Sequence, residues 1–118
     1  MNLPLTHQPD YFLFAQLLMK HIQQYAQQQP HENQAIFMLG AIYQLFQQDL
    51  ASTTINLDGI MNIADEYQVE TINGDQKIIQ HYQIDVEHNQ LLITFPPLVL
   101  QSLAEGKTLL SPDPSIQQ

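Results

Sequence analysis

Three segments of this chain hold residues whose types and spacing could support chemistry, and each departs from the pattern its chemistry needs. Gly106-Lys107-Thr108 has the ending of a phosphate-cradling loop. That loop also requires a glycine five residues earlier and a preceding strand, so that successive backbone N–H groups face the phosphates. Position 101 is Gln and the residues before it read as a helix, so a helix C-cap is expected instead. Thr54 to Asp65 resembles a calcium loop in its sixth-position Gly59, its oxygen side chains Asn56 and Asp58, and an apolar Met61 at position eight. It begins with Thr rather than Asp and ends with Asp rather than the longer, bidentate Glu. Charge and reach are therefore missing where the ion needs them, and a capped helix start accounts better for Asn56 and Asp58.

The titratable groups give a third possibility. His7, His21, His31, His81 and His88 show no pair four apart on one helix, the usual spacing for a shared metal ion. His81 and Asp85 share a strand face, but residues four apart on a strand lie about 13 Å apart, too far for a dyad. Glu66 with Glu70, or Asp85 with Glu87, are candidate paired acids that nothing in the sequence places in a cleft. The chain has no cysteine, which removes thiolate nucleophiles, disulfides and Cys-based zinc sites. No serine sits in a nucleophile elbow. No catalytic residue, metal or cofactor is expected, and the protein reads as non-enzymatic.

Charge is the most informative property. Twelve acidic residues face three lysines (Lys20, Lys77, Lys107), with no arginine, for a formal charge of −9 and a pI near 4.5. Nucleic acid is held by many cations on phosphate, so direct binding to it is not expected. Such a field instead attracts a basic macromolecule. The expected function is that of a small acidic binding protein that docks on a basic protein partner, an inhibitor of the immunity, antitoxin or anti-defence kind. Its expected contacts are Asp58, Asp65, Glu66 and Glu70 around a third helix, and Asp85 and Glu87 on an exposed strand face. The alternative is a homodimeric chaperone or adaptor that holds a client segment on an apolar surface and pairs through the helix Ala35 to Tyr43.

The elements that must position these groups are read from periodicity. At 118 residues with 44% hydrophobic content, the chain can bury a core as a single domain, expected over 9–106 between a flexible lead-in (1–8) and a flexible tail (107–118). Nineteen glutamines supply much of the polar surface, because only 13% of residues are charged. No basic n-region precedes the first apolar stretch, and the longest apolar run, Ala35 to Tyr43, is nine residues, too short to span a bilayer. A cytoplasmic protein with no membrane contact is expected.

Tyr11, Phe14, Ala15, Leu18, Ile22 and Tyr25 recur at three- and four-residue steps after Pro9-Asp10, which predicts a first helix ending before Pro30. Pro30 and Glu32 open a second helix whose centre is apolar all round. A third starts near Asn56 with Ile60, Ile63, Ala64 and Tyr67 on one side. The period then falls to two. Two-residue loops at Asn73-Gly74 and His88-Asn89 pair Val69 with Ile78, Val86 with Leu91, Ile84 with Ile93, and Tyr82 with Phe95. This puts Ile78, Tyr82, Ile84 and Val86, with Gln80 among them, on the core face. Lys77, Ile79, His81, Gln83, Asp85 and Glu87 lie opposite. A short helix from Pro97 to Glu105 closes the sheet. The fold class is α+β: two to three N-terminal helices packed on a three-stranded antiparallel meander, about 67–95, with a short C-terminal helix. That order is compatible with a winged-helix-like topology, in which the third helix would show DNA only Asp58, Asn62, Asp65 and Glu66, a surface suited to protein contact.

Overall fold

Phe14, Ala15, Leu18, Met19, Ile22 and Ala26 are buried along one face of helix α1 (Tyr11–Gln28), as their spacing requires. The structure is a computed structural model that describes residues 11–46 and 57–112. Pro9-Asp10 and Asn56, read as helix-start residues, lie outside them. Helix α3 (Leu57–Ala64) packs on α1 and buries Leu57, Ile60, Met61 and Ala64. Together with α2 (Leu39–Leu45) and α4 (Pro97–Ala104), these helices accompany two antiparallel three-stranded sheets, so the class is α+β. No helix among the described residues is long and apolar enough to cross a membrane.

The second helix is half of what its apolar run predicts. Gln34–Met38 is a strand, β1, and only Leu39–Leu45 is helical. Ala35 and Phe37 point into the core while Gln34, Ile36 and Met38 are exposed, an alternation hidden in the sequence because the outward positions are also mostly apolar. The strand exists because a partner exists. β1 lies antiparallel to β5 (Gln90–Thr94), with Ala35 opposite Ile93 and Phe37 opposite Leu91. The expected dimer helix Ala35 to Tyr43 is therefore not a free helix. Its Ala35, Phe37, Leu39 and Ile42 belong to the chain's own core.

The expected meander is divided between the two sheets. One has the order β1-β5-β4, with β4 at His81–Asp85. The other has the order β3-β2-β6, from Gln68–Thr71 (β2), Gly74–Lys77 (β3) and Leu109–Leu110 (β6). The amide of Ile78 still donates to the Tyr67 carbonyl at 3.1 Å, ending one ladder, and that of Gln80 donates to the Thr94 carbonyl at 2.9 Å, starting the other. At this crossing Ile78 and Ile79 are 0% and 1% exposed, so Ile79 is a core residue rather than an outward one. Val86, expected inside, is 77% exposed.

Both hairpin registers differ from expectation by a step of two. Val69 faces Gln76 rather than Ile78, and Ile84 faces Leu91 rather than Ile93. A type I′ turn at Asn73-Gly74 needs positive φ at both residues, yet Gly74 (φ 97°) has it and Asn73 does not. The turn residues are Ile72 and Asn73, and Thr71 closes the turn, its Oγ1 donating to the Gly74 carbonyl at 2.7 Å and accepting from the Asn73 amide at 3.1 Å. The second loop is four residues long, with Asn89 at φ 59° and the His88 amide donating to Asp85 Oδ1 at 3.1 Å. A shift of two keeps each side chain on its face, so Tyr82 and Ile84 face the core as expected while Gln80 is exposed.

Helix α4 ends as predicted. The amide of Gly106 (φ 81°) donates to the Leu103 carbonyl and that of Lys107 to the Ser102 carbonyl, both at 3.1 Å, the two bonds of a Schellman motif. Gly106-Lys107-Thr108 is thus a helix end. Beyond it, Leu109–Leu110, expected in a flexible tail, pair with Val69 and Gln68 as β6.

Candidate functional site

Helix α3 begins where three other elements bring tyrosines together. Its Gly59 is pressed by the Tyr11 ring of α1: a Cβ at that position would lie 2.7 Å from Tyr11 Cε2. Beside Gly59, Asp58 stands in the first turn of α3. Tyr43, near the end of α2, and Tyr82, on the core-facing side of β4, both reach this corner. Burial first, and then the Asp58 carboxylate, hold the Tyr43 phenol above its ordinary pKa, with Tyr11 adding to the effect. Burial and then Asp58 and Asp65 do the same to Tyr82. Asp65 follows the last residue of α3, but its amide still donates to the Met61 carbonyl at 2.8 Å, so the winding continues and residues 58 and 65, two turns apart, stand on the same side. The result is a half-exposed group of Tyr11, Tyr43 and Tyr82 around the start of α3, with Asp58 acting on Tyr43 and Tyr82 and Asp65 on Tyr82 alone.

Asp65 already has a cation: Lys77 Nζ of β3 donates to its Oδ2 at 2.8 Å. The pair is exposed, so the bond is exchangeable and contributes below about 1 kcal/mol. A stronger ligand, such as a bidentate guanidinium, can displace it. Sequence reasoning assigned these three tyrosines to apolar faces and missed that each is only partly buried. Their hydroxyls were the available signal, since a core position seldom needs one.

The six expected contact carboxylates do not share one face. Asp58 and Asp65 belong to the tyrosine corner. Glu66 lines a shallow hollow of about 100 Å³ with Phe12, Ile63 and Pro112. Glu70 lies in a groove of about 230 Å³ between the β2–β3 turn and α4, near Glu105 and Lys107. Asp85 and Glu87 are at the β4–β5 turn. There the His88 ring, not His81, meets Asp85 Oδ2 at 2.8 Å, and this bond leads the causes that hold the Asp85 carboxyl below its ordinary value.

Ligand atoms of Asp85, Glu87 and His88 lie within 4.8 Å of one another, close enough for a cation. Both Asp85 oxygens are engaged by His88, and the turn is solvated, which is how an ordinary acidic turn looks. The calcium-loop segment is helical over Leu57–Ala64 and so does not wrap around a central ion. A second groove, about 240 Å³, lies against Lys20, Gln23, Tyr67 and Ser111. Both larger grooves fall short of the roughly 300–1,000 Å³ usual for small-molecule sites. No known protein family, curated protein or solved structure matches this chain.

Proposed function

We propose that this chain is a small binding protein that docks an arginine-rich basic macromolecule on the corner formed by Tyr11, Tyr43, Tyr82, Asp58 and Asp65, in the manner of an immunity, antitoxin or anti-defence inhibitor. The reading rests on the Tyr11 ring packed against Gly59, next to Asp58 in the first turn of α3, with half-exposed Tyr43 and Tyr82 close enough for the same carboxylate to add to the effect of their burial. A guanidinium gains from both: a ring face is worth about 0.5–2 kcal/mol to a cation, and a carboxylate accepts two of its N–H groups. Tyrosine also covers contact area at small entropic cost, which is why it recurs at interface centres. The remaining charge of the chain steers such a partner inward from a distance. Phosphate finds no comparable partner on α3, which carries neither Lys nor Arg.

The test uses an arginine-rich nonapeptide followed by fluorescence anisotropy at low and high ionic strength. Binding should weaken with salt. A D58K/D65K variant should bind at least about tenfold more weakly than an E70K/E87K variant, which changes net charge equally but away from the corner. Equal loss in both variants would reduce the attraction to bulk charge and sink the assignment of the site.

A further inference from the structure

An edge strand presents a row of unpaired N–H and C=O groups, and proteins blunt such edges with charge, proline, bulges or brevity. The edges of this fold differ in that respect. β3 carries Asp75 and Lys77, β4 ends in Asp85, and β6 is two residues long. β1 runs five residues, Gln-Ala-Ile-Phe-Met, with no charge, proline or glycine. No described strand lies beyond it.

The backbone of that edge points outward at known positions. The amide of Phe95 donates to the Asn33 carbonyl at 2.8 Å and that of Leu39 to the Asn89 carbonyl at 3.0 Å. These two bonds make the odd-numbered residues of β1 the ones tied to β5. Gln34, Ile36 and Met38 therefore aim their backbone groups away from the sheet, and the Gln34 carbonyl also accepts the Tyr25 hydroxyl at 3.3 Å. Ile36 and Met38 are 57% and 49% exposed on the open face, where Ile36 lies opposite Leu92 of β5.

We infer that β1 is the seam of a homodimer, pairing antiparallel with β1 of a second copy about a two-fold axis at Ile36 to make a continuous six-stranded sheet. Charge selects this occupant. Two copies of a −9 chain repel wherever their carboxylates meet. The open face beside the seam consists of Gln34, Ile36, Met38, Gln90, Leu92 and Thr94, all uncharged, so two copies approach there at less cost than elsewhere, with the Glu32 carboxylate only at the Gln34 end, near Tyr25. A basic partner finds no carboxylate among these residues. Self-pairing sets Ile36 against its own copy and Met38 against Gln34, and extends the Ile36–Leu92 pair into an apolar row across four strands. The tyrosine corner takes no part, so neither proposal rests on the other.

A five-residue seam buries far less than the roughly 800 Å² per partner of a standard interface, so association should depend on concentration from micromolar to millimolar. Light scattering across that range should show the mass of the full chain rising toward two copies, while Ile36→Lys stays monomeric. The chain has no cysteine, so Ile36→Cys gives a second readout. At a two-fold axis the two Cα atoms of a hydrogen-bonded pair are about 5.5 Å apart, within disulfide range. Ile36→Cys should then cross-link at least about tenfold faster than Ile72→Cys, whose site is 86% exposed at the other hairpin. A monomer throughout the range, a dimer that survives Ile36→Lys, or equal cross-linking of the two cysteine variants would each overturn the inference, leaving a strand from another protein as the alternative occupant.

Discussion

The two sheets have the same number of strands and the same plan, a hairpin joined by a strand from far along the chain, yet their edges are guarded differently. The β3-β2-β6 sheet is built on a tight local hairpin, guarded at one edge by Asp75 and Lys77 and at the other by the brevity of β6. The β1-β5-β4 sheet also has a hairpin, but its third strand comes from before α2 and α3 and leaves an uncharged edge. Both hairpins turn through a left-handed residue, Gly74 in one and Asn89 in the other, and both close the turn with a side chain, Thr71 or Asp85. Turn chemistry is thus shared, and so is the recruitment of a third strand from a distance; the difference lies in how that outer strand is guarded. β6 is too short to offer much of an edge, whereas β1 presents five uncharged residues.

The sharpest way to break this comparison is at the crossing between the sheets. Ile78 and Ile79 are adjacent and both fully buried, which a single ribbon with alternating faces cannot arrange. Ile78→Ala and Ile79→Ala should each cost about 2–5 kcal/mol in chemical denaturation, through lost transfer energy and the cavity left behind. If the two sheets were one continuous meander, one of the pair would face solvent, and its truncation would cost about 0.5 kcal/mol or less. Unequal losses of that kind would restore the meander.

What was legible in the sequence follows the same division. The face assignments of Val69, Tyr82, Ile84, Leu91 and Ile93 were correct although both registers were off by two, because a two-residue shift preserves side-chain parity. Helices α1, α3 and α4 followed from apolar spacing, and the end of α4 from Gly106. β1 was not legible. Ile36 and Met38 are apolar and exposed, so the two-residue period of Gln34–Met38 was masked inside a uniformly apolar run. Of the six expected contact residues, only Asp58 and Asp65 stand together on the α3 side, whereas Glu66, Glu70, Asp85 and Glu87 lie elsewhere. The tyrosines were hidden because Tyr11 reaches Gly59, and Tyr43 comes within the influence of Asp58, only through the packing of separate helices.

A smaller effect separates the two turns. A Cβ at Gly74 would meet nothing within 4 Å, so Gly74→Ala carries conformational strain alone. Its φ of 97° predicts a loss of about 1–2 kcal/mol. Asn89 tolerates its left-handed geometry, so Asn89→Gly should change stability by no more than about 0.5 kcal/mol. Thermal denaturation of both variants decides this. Equal and small effects would mean that the Gly74 turn readjusts, and that its register is set by the ladder rather than by the turn.

The smallest effect concerns how α1 holds each side of the molecule. Against β1 it places a titratable ring, with His21 and Phe37 centroids 5.4 Å apart. Toward the end of α4 it uses a neutral amide, Gln23 Nε2 donating to the Lys107 carbonyl at 2.9 Å. Burial lowers the pKa of His21 below its ordinary 6.5. In the window between its folded value and 6.5, the unfolded chain binds more protons than the folded one, so stability rises with pH and falls as the medium is acidified. The loss begins as pH drops through 6.5 and levels off once folded His21 is also charged. Asp85 acts in the opposite sense of charge and lower down, contributing above its ordinary 3.8 and losing that contribution only as pH falls through its still lower folded value. Hydrogen exchange followed from neutral to mildly acidic pH should therefore speed up at β1 and β5 amides more than at β2 amides, beyond the intrinsic pH dependence of exchange. His21→Phe should remove that difference, because the ring contact persists without a proton to bind. Equal acceleration in both sheets, or a difference that survives the substitution, would show that His21 does not distinguish them.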